Sequence, residues 1–164
     1  MPYNDNGSIC KLKKDDTIML KTFKSNTKTL SDGMQVESSS RNFSFKMDEP
    51  KALGGTDEAM SPVEALLCAL GGCQAIVVKA YAKAQGLDIE DFSVDLEGDI
   101  DLDGFMRKKD VLKGFQEIRY TMHFKTNEPR EKIEKFVEFI EDTCPVGDTI
   151  NRKVDILSKS IEIE

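Results

Sequence analysis

Residues 61–86 read SPVEALLCALGGCQAIVVKAYAKAQG. Ser61 offers an N-cap hydroxyl, Pro62 stands at the first helical position, and Glu64 follows the serine by three residues, the arrangement of a capping box. The apolar run continues to Gln85, and Gly86 is the residue type that ends helices in the left-handed conformation. The spacing therefore predicts a helix over 61–85, roughly 37 Å long at the α-helical rise. Apart from Gln74, every residue between Glu64 and Lys79 is apolar, small or cysteine. Such a helix has no wet face in its middle and needs cover on all sides. Gly71-Gly72 costs roughly 1 kcal/mol per glycine relative to alanine, a cost consistent with the close approach of another backbone. Two arrangements supply the cover: a dimer with paired central helices, which burial favours, or a helix kinked at the glycines and buried within one chain.

Working outward, segments 17–24, 34–38 and 42–48 read as short strands, the second after the turn signal Ser31-Asp32-Gly33. In the third, alternation puts Phe43, Phe45 and Met47 on one face. A Gly- and Asp-rich loop fills 49–60. Its Gly54-Gly55 pair suits a turn better than a phosphate cradle, because no Lys-Ser/Thr follows. Downstream, 91–101 alternates with Phe92, Val94 and Leu96 inward, and 115–125 with Ile118, Tyr120, Met122 and Phe124 inward. Arg119 and His123 then share the polar outward face. Segment 129–142 carries Ile133, Phe136, Val137 and Ile140 at helical spacing. Cys144-Pro145 interrupts it and opens a short helix, and 154–163 reads as a closing strand. The class is α+β, a single domain over 1–164 with a polar N-terminal segment at 1–16.

With 30 acidic against 23 basic side chains and a net charge of -7, the surface repels phosphate backbones, which argues against nucleic acid as a partner. The longest charge-free stretch, 65–78, is shorter than the roughly 20 apolar residues of a bilayer span, so no membrane partner is expected. The first sixteen residues hold no apolar run of a signal-peptide kind, and a cytoplasmic location is expected. Four cysteines, Cys10, Cys68, Cys73 and Cys144, are too irregularly spaced for a disulfide scaffold. There is no CxxC pair, and the lone histidine, His123, lies far from every cysteine, so neither a metal nor another cofactor is expected. Cys144 is the natural N-cap of its short helix, where the helix dipole favours a thiolate. Cys73, in the middle of the apolar helix, reads on its own as a core thiol. Cys68 reads as packing and Cys10 as incidental.

Several segments together resemble the OsmC/Ohr family and its OsmC-like branch: Asp48-Glu49-Pro50, Leu53-Gly54-Gly55-Thr56-Asp57, Ser61-Pro62-Val63-Glu64-Ala65-Leu66-Leu67 and Ala69-Leu70-Gly71-Gly72-Cys73. Further on come Gly98-Asp99-Ile100-Asp101, Gly104-Phe105, Gly114-Phe115-Gln116-Glu117-Ile118 and Cys144-Pro145-Val146. The resemblance implies an OsmC-like fold, with antiparallel sheets packed around a long central apolar helix in an intertwined homodimer. It also implies thiol-dependent reduction of organic hydroperoxides in oxidative stress defence, recycled by a dithiol or lipoyl-type reductant. By it, Cys73 matches the attacking cysteine and Cys144 the resolving one. The family's peroxide reductases place a glutamate directly after the helix-opening proline, paired with an arginine that activates the thiol. Here Val63 holds that position and Glu64 follows one residue later, about 100° further round the helix. Arg41 is the best substitute arginine by position, ahead of Arg119. The other reading is a non-catalytic apolar-ligand binder or thiol redox sensor on the same dimeric scaffold, favoured by the displaced glutamate. A thiol-dependent hydrolase finds no convincing Cys–His arrangement.

Overall fold

The computed structural model describes residues 20–163 apart from positions 32 and 153, so Cys10, the 1–16 segment and Asp32 of the first turn lie outside the described residues. In chain order the elements are β1 (Asn26–Thr29), β2 (Val36–Ser40), β3 (Phe43–Met47), α1 (Pro62–Tyr81), β4 (Ile89–Ile100), α2 (Leu102–Phe105), β5 (Phe115–Thr126), α3 (Arg130–Thr143) and α4 (Pro145–Asn151). The strands form two separate antiparallel sheets, β1-β2-β3 and β4-β5. This is the α+β arrangement expected, with α1 as its central apolar helix.

Helix α1 starts where its capping chemistry places it. The Glu64 N–H donates to Ser61 Oγ, and Glu64 Oε2 accepts in return from the Ser61 N–H at 2.6 Å. It ends at Tyr81, earlier than the expected 85. The Leu87 N–H returns to the Ala82 carbonyl at 2.9 Å and Gly86 takes φ +70°, which turns Leu87 into the core. That core joins Val77, Val78, Ala82 and Leu87 to Phe136 and Ile140 of α3, flanked by Phe92, Met122 and Phe124 from the inner face of β4-β5. Strands β4 and β5 pair along their whole length, with Val94 opposite Met122 and Leu96 opposite Tyr120.

Glycine at position 71 lets β4 pack close, since an added Cβ would lie 2.7 Å from Leu96 Cδ1 and push that side chain aside. The close neighbour there is a side chain of β4 rather than another backbone, and Gly72 faces open space. Among the described residues, α1 alone meets the measure of a bilayer-crossing helix by length and mean hydropathy, because Glu64 and Lys79 sit only at its ends. The charge-free stretch understated that length. Its Gly71, Val77 and Val78 side packs instead on a sheet and α3, the contacts of a core helix.

The cover expected around α1 is only half present within one chain. Val63, Leu66 and Ile76 remain exposed, Ile76 by 68%. The β1-β2-β3 sheet makes no substantial packing contact with α1 or with β4-β5, so Phe43 and Phe45, expected on one face of a half-buried strand, are exposed. Residues 20–24 form no strand, because β2 pairs with β1 only from Asn26 onward and then turns at Arg41. The closing strand expected at 154–163 is also not formed in the described residues. Residues 154–163 take no regular secondary structure, with Ile156 97% and Ile163 93% exposed, since neither open edge of the β4-β5 sheet accepts them within one chain.

The 48–58 loop is organised by a buried carboxylate. Asp48, 1% exposed, accepts from the Thr56 hydroxyl at 2.6 Å and from the Glu49, Thr56 and Glu58 N–H groups. Gly54 takes φ +92°, and at Gly55 a Cβ would overlap the Glu49 carbonyl. These hydrogen bonds, led by that of Thr56, lower the Asp48 pKa from 3.8 to about 2. Because the folded value is the lower one, the stability that Asp48 contributes is complete above pH 3.8 and lost as pH falls through about 2. Urea unfolding from pH 5 down to 2 should therefore show a fall in midpoint that Asp48→Asn flattens. An identical pH profile for the variant would remove Asp48 as the cause.

Candidate active site

Cys73 lies half-buried on the fourth turn of α1, and Cys144, 1% exposed, joins α3 to α4. Antiparallel packing of α1 against α3 and α4 brings these two cysteines, 71 residues apart in sequence, near enough for the Cys73 thiol to disfavour ionisation of Cys144. One turn earlier on α1, Leu70 faces Gly147, and Val77 joins Phe136 and Ile140 one turn later.

Cys144 is the N-cap of α4, as expected, and its Sγ accepts the Gly147 N–H at 3.3 Å. The expected electrostatic consequence is reversed. Burial, reinforced by the neighbouring Cys73 thiol, raises the Cys144 pKa despite the Gly147 and Val146 N–H groups that favour the thiolate. A seven-residue helix supplies too little field to offset desolvation of the sulfur. Cys144 is thus held as a protonated thiol at neutral pH. Cys68 is exposed in the single chain rather than packed, about 140° around α1 from Cys73.

Glu64 is committed to the helix start. Hydrogen bonds from the Ser61 N–H and hydroxyl hold its carboxyl below the usual range. Nine residues separate it from Cys73, which is roughly 13 Å of helix rise and two and a half turns, so it lies on the opposite face of α1. Within one chain Glu64 therefore acts as a cap and is not brought to Cys73. Arg41 takes φ +56° at the tip of the β2–β3 hairpin, with its guanidinium 5.1 Å over the Phe43 ring. The sheet that carries it does not pack on α1. Arg119 is held on the outer face of β4-β5 by Glu97, Asp99 and Glu117 at 2.6–2.9 Å, and these carboxylates raise its pKa further. On the same face His123 pairs with Asp95 at 2.9 Å.

Among the described residues no three His, Cys, Asp or Glu side chains are grouped to hold a metal ion. The recess between α1 and β4, about 320 Å³, is lined by Ala75, Val78, Lys79 and Phe92 among others and contains neither thiol. One residue escaped the sequence reading. Gln74 is 3% exposed, and its Oε1 is the one buried side-chain atom among the described residues without a hydrogen-bond partner. Its signal was in plain view as the single polar residue in the apolar run.

The model of the OsmC-like protein family matches residues 55–159, from the Asp48 loop through both cysteines. The chain belongs to the OsmC-like family. A Mycoplasma genitalium relative named hydroperoxide reductase is 22% identical over 126 residues, covering 76% of this chain and 84% of that one. The crystal structure of an OsmC-like protein from Mycoplasma pneumoniae superposes with a TM-score of 0.72 at 22% identity, covering 81% of this chain and 89% of that one. A Legionella pneumophila structure described as an organic hydroperoxide resistance protein gives a TM-score of 0.62 at 20% identity, covering 81% and 91%. At these identities the structural likeness establishes the OsmC-like fold.

Proposed function

We propose that this OsmC-like chain reduces organic hydroperoxides, with Cys73 attacking and Cys144 resolving. The observation that carries the reading is the contact between a half-buried thiol on α1 and a buried one at the start of α4. The names of the Mycoplasma genitalium and Legionella pneumophila relatives point the same way.

The Cys73 sulfur, as thiolate, attacks the terminal peroxide oxygen. An S–O bond forms, the O–O bond breaks, and its electron pair leaves on the alkoxide, which takes up a proton to become the alcohol. Cys73 is now a sulfenic acid. Cys144 then gives up its proton and attacks the Cys73 sulfur. The S–S bond forms, the S–O bond breaks, and the leaving hydroxide takes that proton away as water. The raised pKa of Cys144 suits this order, because the second thiol stays protonated until the first has reacted. An external dithiol, of lipoyl or similar type, returns the disulfide to two thiols, and free cysteines in that cycle fit the cytoplasm.

The same chemistry needs a dry site, and a second copy would supply it. Leu66, Ala69, Cys73, Ile76 and Ala80 follow one another on α1 at alternating intervals of three and four, the seam by which two helices pair. Cys73 sits mid-seam. Pairing two chains along it, with the exposed Phe43 and Phe45 face and the 154–163 tail reaching across to the partner, covers the apolar surface one chain leaves open. Loss of cumene hydroperoxide with dithiothreitol as reductant, wild type against Cys73→Ser, tests the activity. Wild-type turnover no faster than that of the variant would favour the ligand binder or redox sensor instead.

A further inference from the structure

We infer that Gln74 binds the peroxide group, its side-chain carbonyl accepting the hydroperoxide O–H while its amide NH2 donates to the oxygen that leaves. The inference rests on the peroxide reading above and deepens it.

The attack on an O–O bond places negative charge on the departing oxygen, and a hydrogen-bond donor aimed there is the common way to stabilise it. Within one chain neither Arg41 nor Arg119 meets that need. Arg119 is spent on three carboxylates across the sheet, and Arg41 lies over Phe43 on a hairpin that does not pack on α1. Gln74 directly follows Cys73, about 1.5 Å further along the helix and 100° around it. Its stripe on α1, shared with Leu70 and Val77, faces the junction of α3, α4 and the sheet, level with the thiol pair.

A glutamine only 3% exposed with an unpartnered Oε1 is destabilising where leucine or methionine would fill the space without cost. An orphaned polar atom on the residue next to Cys73 is what a ligand with its own O–H would satisfy. A hydroperoxide offers a donor on its terminal oxygen and an acceptor on the next, and a primary amide carries the complementary pair at one end of one side chain. The geometry also states the substrate class: a peroxide must keep a free O–H, so hydroperoxides fit and dialkyl peroxides do not.

Gln74→Met retains length and removes both polar atoms. Its kcat/KM for cumene hydroperoxide is expected to fall by about 10²-fold, while alkylation of Cys73 by iodoacetamide, followed by peptide mass, stays within about twofold of wild type. A fall of less than about tenfold overturns the inference and leaves the cysteine chemistry standing. Parallel losses in turnover and alkylation also overturn it, since they mark a packing defect around Cys73. If Gln74→Met does not fold, Gln74→Leu carries the same two measurements. Wild-type protein without Cys73-dependent turnover overturns the peroxide reading itself, and the role of Gln74 with it.

Discussion

Cys73→Ser is expected to bring cumene hydroperoxide consumption down to the rate of dithiothreitol alone. The hydroxyl that replaces the thiol is almost fully protonated at neutral pH and is a poor nucleophile toward peroxide oxygen, so no first step remains. Cys144→Ser is expected to behave differently. Its first turnover proceeds, because Cys73 is intact, but the sulfenic acid then has no internal thiol to meet. With repeated exposure it climbs to the sulfinic acid, which dithiothreitol does not reverse, and activity decays with the number of turnovers. The contrast is read by following turnover over time beside the mass of the Cys73 peptide. Equal, immediate losses in both variants would argue against separate attacking and resolving roles.

Ile76→Asp is expected to keep the chain monomeric, undoing the dimer proposed above. Ile76 is 68% exposed in one chain and lies on the same stripe as Leu66 and Cys73. In a two-fold interface the substitution occurs twice, and the two new carboxylates stand close to each other as well as to apolar neighbours. A central anchor of this type costs on the order of 3 kcal/mol, or roughly 10²-fold in the dissociation constant, for each copy. Sedimentation at micromolar concentration reads the change directly. Because Cys73 shares that seam, peroxide turnover should fall with it. A variant that stays dimeric would place the interface elsewhere and leave the open face of α1 unexplained.

How much of this was legible in the sequence follows from the range of the interactions involved. The α1 start was readable because Ser61, Pro62 and Glu64 act within one turn. The β4-β5 pair was readable because its alternation runs for twelve residues in each strand. The end of α1 was not, since it depends on Leu87 finding the core. The closing strand at 154–163 carries the right alternation, but a strand also needs a hydrogen-bonding edge, which residue type does not supply. At the site, the pairing of Cys73 with Cys144 came from family resemblance and not from spacing, because a contact across 71 residues leaves no local pattern. The direction of the Cys144 pKa shift was misread for a related reason. The helix dipole is visible in sequence, whereas the burial that outweighs it belongs to the packing of α1 on α3 and α4.

The most direct test is to treat the fully reduced protein with one equivalent of cumene hydroperoxide, block the remaining thiols, and map the disulfides by peptide mass. The account predicts a single new linkage joining the Cys73 peptide to the Cys144 peptide, with Cys68 still free. Cys73 recovered unmodified, or oxidised with Cys144 still a free thiol, would contradict it.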